Sequence, residues 1–445
     1  MARLPWDAPG DGVDHITGLP MELRAHIASF LPFRQVGQLL SSLSRPWRRI
    51  HEHTPVVQIK LDDFLSITDE TVDEDDDPLA LVLLGILDED ALAALEAALL
   101  RRAEEGNGSS KVDVLRITYS PDDLRIRRHA DRIIALADAR EICVKIPKSG
   151  RASRVAWALR LPPSTRDLEV MALHYLVPAI DGPGAAALRT LRLENVVVSH
   201  WPCLPSLLSL TLDTVTIEAP FPPGAWCPLL EDLCISVSDV VPARMDIRLP
   251  HLKILELDDV NGPLMDVTVV APELEELDVN CTLGCNEEYG SFTLRAPRLR
   301  SLRWCNQFTE HVDIDVGPPG SVTEGMIQFT WNGGFECPAM KDCLALMTRM
   351  LNGLLPVSPT DQLTNELRSG TPPFLLSCTA ICAGCLRITL DKYTVQGFDA
   401  GEMVPEEKLT CDLDAVMSSL QTTYNQKIKQ VRKPWHGVGN VDVGE

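Results

Sequence analysis

Apolar and polar residues alternate in a short motif that recurs through the middle of the chain. Six segments share the pattern L-x-x-L-x-Φ, where Φ is apolar, and they are spaced by 19 to 25 residues, as in solenoid repeats. Their central leucines are Leu191, Leu210, Leu233, Leu255, Leu277 and Leu302. Weaker copies centre on Leu115, Ile142 and Leu168. Each copy predicts a short strand whose leucines stack on those of its neighbours in one continuous core. The alternative is an ordinary α/β domain with leucine-rich strands.

The segments between these strands predict what covers the outer side of the array. ALAALEAALLRRAEE (91–105) and DRIIALADA (131–139) have the periodicity of helices. Later segments such as VNGPLMDVTVVAPEL are rich in proline, so we expect helix-backed repeats to give way to loop-backed ones. Five prolines stand two residues before a repeat's first leucine, where we expect them to enter a strand from its edge. They are Pro205, Pro228, Pro250, Pro272 and Pro297.

A separate apolar pattern occurs near the beginning of the sequence. In DHITGLPMELRAHIASFLP (14–32), every fourth residue from Leu19 to Leu31 is apolar, which predicts a stripe along one face of a helix. Pro20 is predicted at the first helical position. Two further short helical segments follow, RQVGQLLSSL and SRPWRRIHEH. A bundle this small is marginally stable alone, so the stripe predicts a neighbour or a partner.

Residues 14–57 resemble an F-box, particularly the plant type. The family pattern is D-x-I-x-x-L-P-x-E-L, then I-x-S-F-L-P, then L-S-x-x-W-R, then P-V-V. The matching residues are Asp14, Ile16, Leu19, Pro20, Glu22, Leu23, Ile27, Ser29, Phe30, Leu31, Pro32, Leu43, Ser44, Trp47, Arg48, Pro55, Val56 and Val57. Pro46 departs from the family, which usually has a basic residue there. With its repeats and the segment after them, the chain looks like plant F-box proteins with leucine-rich repeats.

The resemblance implies a substrate-recognition adaptor subunit of an SCF-type cullin–RING ubiquitin ligase. The F-box would dock on a Skp-type adaptor, and the repeats would bind a protein target for ubiquitination. The family's docking surface corresponds to Leu19, Pro20, Leu23, Ile27, Leu31, Pro32, Val36 and Trp47. The alternative is a leucine-rich-repeat interaction scaffold whose F-box does not engage the ligase. The sequence contains no G-x-G-x-x-G, P-loop or G-x-S-x-G motif, so we expect a non-catalytic subunit without a cofactor.

These patterns predict an α/β solenoid, in which a small N-terminal three-helix F-box precedes an irregular leucine-rich-repeat array with a C-terminal α/β cap. The expected divisions are a flexible N terminus (1–12), the F-box (13–54), the array (55–308), the capping region (309–431) and a flexible tail (432–445). The cap is predicted from a helix in 340–355, a strand in 385–393 and a helix in 412–431.

Charge changes the expected partners. The chain has 41 basic and 63 acidic residues and a net charge of −22, which disfavours nucleic acid and acidic membranes as partners. Side chains that alternate with the inward leucines face the other side of each strand. The acidic ones are Glu194, Asp213, Asp232, Glu256, Asp258, Glu276 and Asp278. Our hypothesis is a carboxylate patch, centred on the last four, that binds a basic segment of the target. The alternative is a solvated acidic face that keeps the array soluble.

Cysteine usage and hydropathy bear on the location of the protein. The sequence has 13 cysteines and no pattern of a secretion signal, so we expect reduced thiols. The longest apolar run, LALVLLGIL (79–87), is too short to span a bilayer, and we expect a cytoplasmic or nuclear protein without a membrane partner. Cys382 and Cys385 form a C-x-x-C pair with Cys378 nearby, but no histidine is close. Buried thiols are therefore preferred over a structural zinc site.

Overall fold

The structure is a computed structural model of the chain. It describes residues 18–36, 50, 53–66, 86–104, 112–147, 156–221, 224, 226–261, 266–280, 288–305, 308–317, 322, 324–330, 375–382 and 385–391. The chain divides into two compact units, Met1–Val196 and Val197–Glu445. Stacked parallel strands give each unit a solenoid-like architecture. Among the described residues, no helix has both the length and the apolar character needed to cross a membrane.

The first unit combines helices with parallel strands. Its helices are α1 (Met21–Ala28), α2 (Phe33–Gln35), α3 (Glu89–Glu104) and α4 (Leu124–Ala137). Its strands are β1 (Val56–Lys60), β2 (Leu65–Ser66), β3 (Ile86–Leu87), β4 (Val114–Thr118), β5 (Glu141–Ile146), β6 (Ala158–Arg160), β7 (Asp167–Leu176), β8 (Ala179–Asp181) and β9 (Thr190–Val198). β1, β4, β5 and β7 pair in parallel in that order, and β9 follows β7 in the sheet. β2 with β3, and β6 with β8, form short separate pairs.

Helices α3 and α4 return the chain between strands of the first unit, as the sequence predicts for 91–105 and 131–139. α4 begins earlier than expected because the Asp123 side chain caps it, accepting a hydrogen bond of 2.8 Å from the N–H of Arg125. The apolar face of α4 is buried. The helix ends at Asp138, whose φ of 40° is left-handed, as is common after a last turn.

Within its described residues, the second unit is built from strands without α-helices. The strands are β10 (Ser209–Asp213), β11 (Thr216–Ile217), β12 (Asp232–Val240), β13 (Arg244–Arg248), β14 (Ile254–Asn261), β15 (Asp266–Val270), β16 (Glu276–Asn280), β17 (Glu288–Arg295), β18 (Ser301–Cys305), β19 (Phe308–Asp315), β20 (Glu324–Thr330), β21 (Leu375–Cys382) and β22 (Cys385–Asp391). β10, β12, β14, β16, β18 and β20 pair in parallel as one sheet, and β13, β15, β17 and β19 as a second. The chain alternates between the two sheets, which makes a parallel β-solenoid.

The register confirms the repeat period predicted from the sequence. Leu210, Leu233, Leu255, Leu277 and Leu302 are paired from strand to strand, and each is at most 1% exposed. In the first unit, Leu115, Ile142 and Leu168 align in the same way. Val57 pairs with Leu115, so the P-V-V segment assigned to the F-box motif contributes the first strand of the sheet. The leucine-rich-repeat assignment itself stays a prediction.

The predicted loop backing of the later repeats is wrong. The return segments of the second unit form the strands β13, β15, β17 and β19, and alternate residues of the first three are buried. In β15, for example, Val267 and Val269 are buried while Thr268 is partly exposed. The turns rich in proline lie at the ends of these strands and do not replace them.

The five prolines before the repeats also act differently from the prediction. Each is the second residue of a β-turn that the first leucine of the repeat closes. The N–H of Leu252, for example, donates to the carbonyl of Leu249 across Pro250, and the N–H of Leu274 donates to the carbonyl of Ala271 across Pro272. Proline suits this position because its φ is fixed near the value required there.

Some predicted elements lie outside the described residues. These are most of the second and third helical segments of the F-box, the termini 1–12 and 432–445, and the cap helices in 340–355 and 412–431. The strand predicted in 385–393 is confirmed as β22, which pairs antiparallel with both β20 and β21.

Candidate functional site

Helices α1 and α2 share a small core of their own. Pro20 is the N-terminal cap of α1, one residue before the first helical position predicted for it. Ser29 ends the helix, and its hydroxyl donates to the carbonyl of His26 at 2.6 Å. The core consists of Ala25, Ala28, Val36 and Ile50, with Met21 and Leu31 packed against it.

The other face of α1 carries exposed apolar side chains. Leu23 is 51% exposed, Ile27 45% and Phe30, just after the helix, 73%. Their spacing of four and then three residues puts them on one side of the helix. The ring of Phe30 contacts His26 edge to face, with ring centroids 5.1 Å apart. These three residues, the apolar stripe, form a surface next to a helix face that is already packed.

The eight predicted docking residues therefore occupy different environments. Leu23 and Ile27 are exposed on the stripe, and Pro20 is exposed beside the start of α1. Leu19, Leu31 and Pro32 are partly buried, Val36 is buried in the core, and Trp47 lies outside the described residues. Phe30 belongs to the stripe, although the predicted set omits it. Its position seven residues after Leu23 is the sequence signal that could have included it.

The second candidate surface is the open face of the inner strands, which are the strands that carry the repeat leucines. This face consists of the side chains that alternate with the buried leucines. In the second unit, adjacent strands bring four predicted carboxylates together. Glu256 pairs in register with Asp278, and Asp258 with Asn280, on neighbouring strands β14 and β16. Glu276 lies on β16 two residues before Asp278, on the same face. The predicted cluster of Glu256, Asp258, Glu276 and Asp278, the carboxylate patch, is thus formed.

Neighbouring groups compensate part of this negative charge. The guanidinium of Arg303 donates to Asp278 Oδ2 at 3.1 Å, and the amide of Asn280 donates to Asp258 Oδ1 at 2.8 Å. Burial nevertheless raises the pKa of Asp278 despite Arg303, with a further contribution from Glu256 and Asp258. Glu256 and Glu276 are exposed. The patch therefore keeps a negative surface available to a ligand.

Cys234 lies at the edge of the carboxylate patch and is not activated. It pairs in register with Glu256. Burial, followed by the charge of Glu256, raises the pKa of its thiol to about 12. A thiol held protonated at neutral pH is a poor nucleophile. The Cys234 thiol is thus unsuited to covalent chemistry.

Of the three other predicted carboxylates, Asp213 and Asp232 lie on the open face of the second unit, and Glu194 lies in the first unit. Asp232 is on β12, and burial raises its pKa, with a contribution from Glu231. Asp213 is on β10 and accepts a hydrogen bond of 3.3 Å from the hydroxyl of Ser236 on β12. Glu194 belongs to the first unit, where Arg192 lies 3.9 Å away. Six of the seven predicted carboxylates are therefore on the open face of the second unit.

The open face of the first unit has a different character. A shallow cavity of about 210 Å³ lies on it, with Arg116, Cys143, Lys145 and Glu169 among its lining residues. Burial, followed by hydrogen bonding to Glu169, raises the pKa of Cys143 to about 12. In the described parts of both units, no three His, Cys, Asp or Glu side chains are grouped to hold a metal ion.

Comparisons with protein-family models, with curated proteins and with solved structures found no match to this chain. The F-box and leucine-rich-repeat resemblance therefore rests on the residues of this sequence alone.

Proposed function

We propose that this protein is the substrate-recognition adaptor subunit of an SCF-type cullin–RING ubiquitin ligase, similar to plant F-box proteins with leucine-rich repeats. In this proposal the apolar stripe of α1 docks on a Skp-type adaptor, and the open face of the second unit holds a protein target. The exposed stripe carries the proposal, because Leu23, Ile27 and Phe30 are presented together on a helix whose opposite face is already packed.

Burial against a partner would stabilise a complex through these three side chains. Fully burying a Leu, Ile or Phe side chain contributes roughly 1.5–3 kcal/mol, and about half of that remains available where half of the side chain is exposed. Three such anchors on one helix face are typical of helix-in-groove recognition. Because the surrounding residues resemble an F-box, we propose that a Skp-type adaptor supplies this groove.

The test is retention of the full chain by an immobilised Skp-type adaptor. The variant Leu23→Gln with Ile27→Gln removes two anchors and keeps good helix formers in α1. Its matched control is Leu100→Gln, which replaces a leucine on α3 that is 46% exposed. We expect the native chain and the control to be retained and the double variant to be lost. Retention of the double variant at the native level would remove the stripe from the interface.

The alternative function has its own outcome in the same assay. If neither the native chain nor the control is retained, the adaptor role is excluded for this adaptor. The chain would then be a repeat scaffold whose F-box does not engage the ligase. Of the two candidate surfaces in the described residues, the open face would then remain to explain its function.

The carboxylate patch supports a basic segment as the part of the target that is recognised. Glu256→Lys with Glu276→Lys reverses two exposed charges without touching the bonds of Asp258 and Asp278. Asp246→Lys with Asp315→Lys, on β13 and β19 of the second sheet, changes the net charge by the same amount and is the control. We expect a fluorescent lysine-rich peptide to bind the native chain and the control, and to bind the double variant at least about tenfold more weakly. Equal binding to all three would leave the patch as a solvated face.

A further inference from the structure

A cavity of about 260 Å³ opens in the first unit between α2, β1 and α3. Its walls are mainly apolar. They include Phe33 from α2, Ile59 from β1, Phe64 from the turn after β1 and Leu95 from α3, and each of these is less than 9% exposed. The lining of α3 is otherwise alanine, at positions 91, 94 and 98. These small side chains leave space where larger ones would fill it.

The mouth of the cavity is polar and carries a net positive charge. Arg34 and Lys60 supply two cations there, and Asp63 supplies one anion. The guanidinium of Arg34 is held in place by two contacts: it donates to the backbone carbonyl of Asp63 at 2.5 Å and lies 5.3 Å from the ring centroid of Phe64. This hydrogen bond uses one of the five N–H donors of the guanidinium. Donors therefore remain at the mouth for an anionic group.

The carboxylate of Asp63 at the mouth is only weakly paired with Lys60. Its ammonium is 3.4 Å from Asp63 Oδ1, and both side chains are largely exposed, at 56% and 42%. Exposed pairs of this kind are weak and exchange partners easily. A carboxylate placed between Arg34 and Lys60 can therefore be bound by both cations while Asp63 turns to solvent.

We propose that this cavity binds a small monocarboxylic acid with an apolar body. The apolar body enters between Phe33, Ile59 and Leu95, and the carboxylate stays at the mouth with Arg34 and Lys60. An apolar cavity with a few convergent polar groups is the usual form of a small-molecule site, and the charge at the mouth selects an anion over a neutral molecule of the same shape. The proposal does not depend on the role of α1 in docking.

Octanoate and 1-octanol are the probes that separate charge from shape, because they have the same apolar chain. Calorimetric titration of the full chain with each is the measurement. We expect octanoate to bind about tenfold or more tightly than octanol, since the charged hydrogen bonds are absent in the alcohol. Equal affinity for the two probes would overturn the proposal that Arg34 and Lys60 at the mouth bind a carboxylate.

Two sets of variants place the binding in this cavity. Ala98→Phe fills the cavity from α3, and Ala103→Phe, on the exposed part of the same helix, is its control. Arg34→Gln removes a cation from the mouth, and Arg101→Gln is its control. Ala98→Phe should abolish binding of both probes. Arg34→Gln should weaken octanoate about tenfold and leave octanol unchanged. Binding of octanoate to Ala98→Phe or to Arg34→Gln at the native level would refute the proposal, provided that circular dichroism shows both variants folded.

Discussion

The open face of the inner strands differs in charge between the two units, although the strands of both units follow the same pattern of buried residues. Fifteen outward positions lie on five of these strands in each unit: β1, β4, β5, β7 and β9 in the first, and β10, β12, β14, β16 and β18 in the second. In the first unit four are acidic and four basic: Glu141, Asp167, Glu169 and Glu194 against Lys60, Arg116, Lys145 and Arg192. In the second unit six are acidic and one basic: Asp213, Asp232, Glu256, Asp258, Glu276 and Asp278 against Arg303. The L-x-x-L-x-Φ leucines specify the strand, and the positions between them are free to specify a ligand.

The two units also differ in what returns the chain between strands. In the first unit α4 buries residues at helical spacing, including Ile126, Ala130 and Ile133. In the second unit the return segments alternate with a period of two and form a second sheet. The same inner strand therefore accepts either backing, and the period of the return segment decides which one forms.

A substitution of Phe292 on β17 tests most strongly whether the second sheet contributes to the core. This side chain is 1% exposed and packs edge to face on Trp304 of β18, with ring centroids 4.7 Å apart, so it joins the two sheets. We expect Phe292→Ala to lower the free energy of unfolding by about 3–5 kcal/mol. Thr293→Ala, at the next residue of β17, should cost less than about 1 kcal/mol. Denaturant titration measures both. If Phe292→Ala lowered the free energy of unfolding as little as Thr293→Ala, the return segments would contribute no buried core.

The helix-backed unit buries two tyrosines, Tyr119 and Tyr175, whose hydroxyls differ in their hydrogen bonding. The hydroxyl of Tyr175 donates to Asp122 Oδ2 at 2.8 Å, whereas that of Tyr119 is buried without a hydrogen-bond partner. Tyr175→Phe should destabilise the protein by about 1.5–3 kcal/mol, because it removes a hydrogen bond to a carboxylate. Tyr119→Phe should be neutral or stabilising, because it removes an unpaired buried hydroxyl. Thermal unfolding of both variants measures these effects. Equal losses of stability would contradict the difference in hydrogen bonding between the two hydroxyls.

The inner strands were predictable from the sequence, and the backing was predictable only in part. A leucine at the same place in every repeat must be buried for the repeats to stack, which fixed Leu233 and Leu255 without a structure. The second sheet was missed because the glycine and the prolines near the ends of segments such as VNGPLMDVTVVAPEL favour loops. The alternation of Val267, Val269 and Ala271 within that segment was the available signal.

The candidate surfaces were predicted in outline. Helical spacing identified Leu23 and Ile27, but a stripe alone does not reveal which of its residues pack internally, and Val36 is in the core. The carboxylate patch follows from the strand period. The bond between Arg303 and Asp278 was not predicted, although the alignment of the repeats puts these two residues opposite each other on β16 and β18.

A left-handed backbone position recurs in the second unit, four residues after the central leucine of the repeat. Thr214, Val237 and Asp259 occupy it, with φ of 55°, 46° and 50°. A β-branched residue is strained there, whereas asparagine tolerates this conformation. Val237→Asn should therefore stabilise the protein by about 1 kcal/mol. Val241→Asn is the control, because Val241 is as exposed as Val237 but does not have a positive φ. A gain in the control, or none at Val237, would exclude strain relief.

The excess of carboxylates in the second unit should also appear in the pH dependence of its stability. Asp259 is 2% exposed, and burial, followed by the charges of Asp258 and Asp239, raises its pKa above the ordinary value of 3.8. The folded protein then binds this proton more tightly than the unfolded chain, so stability falls as the pH rises from 3.8 through the raised pKa.

Asp259→Asn removes that ionisation and keeps a residue suited to the left-handed backbone. We expect the variant to unfold at a higher temperature than the native chain at pH 7, and the difference to narrow as the pH approaches 3.8, where the native carboxyl is protonated in the folded state. Calorimetric scans at several pH values measure this. A difference that stays constant with pH would mean that the pKa of Asp259 is the same in the folded and the unfolded chain, so that burial and the charges of Asp258 and Asp239 do not raise it.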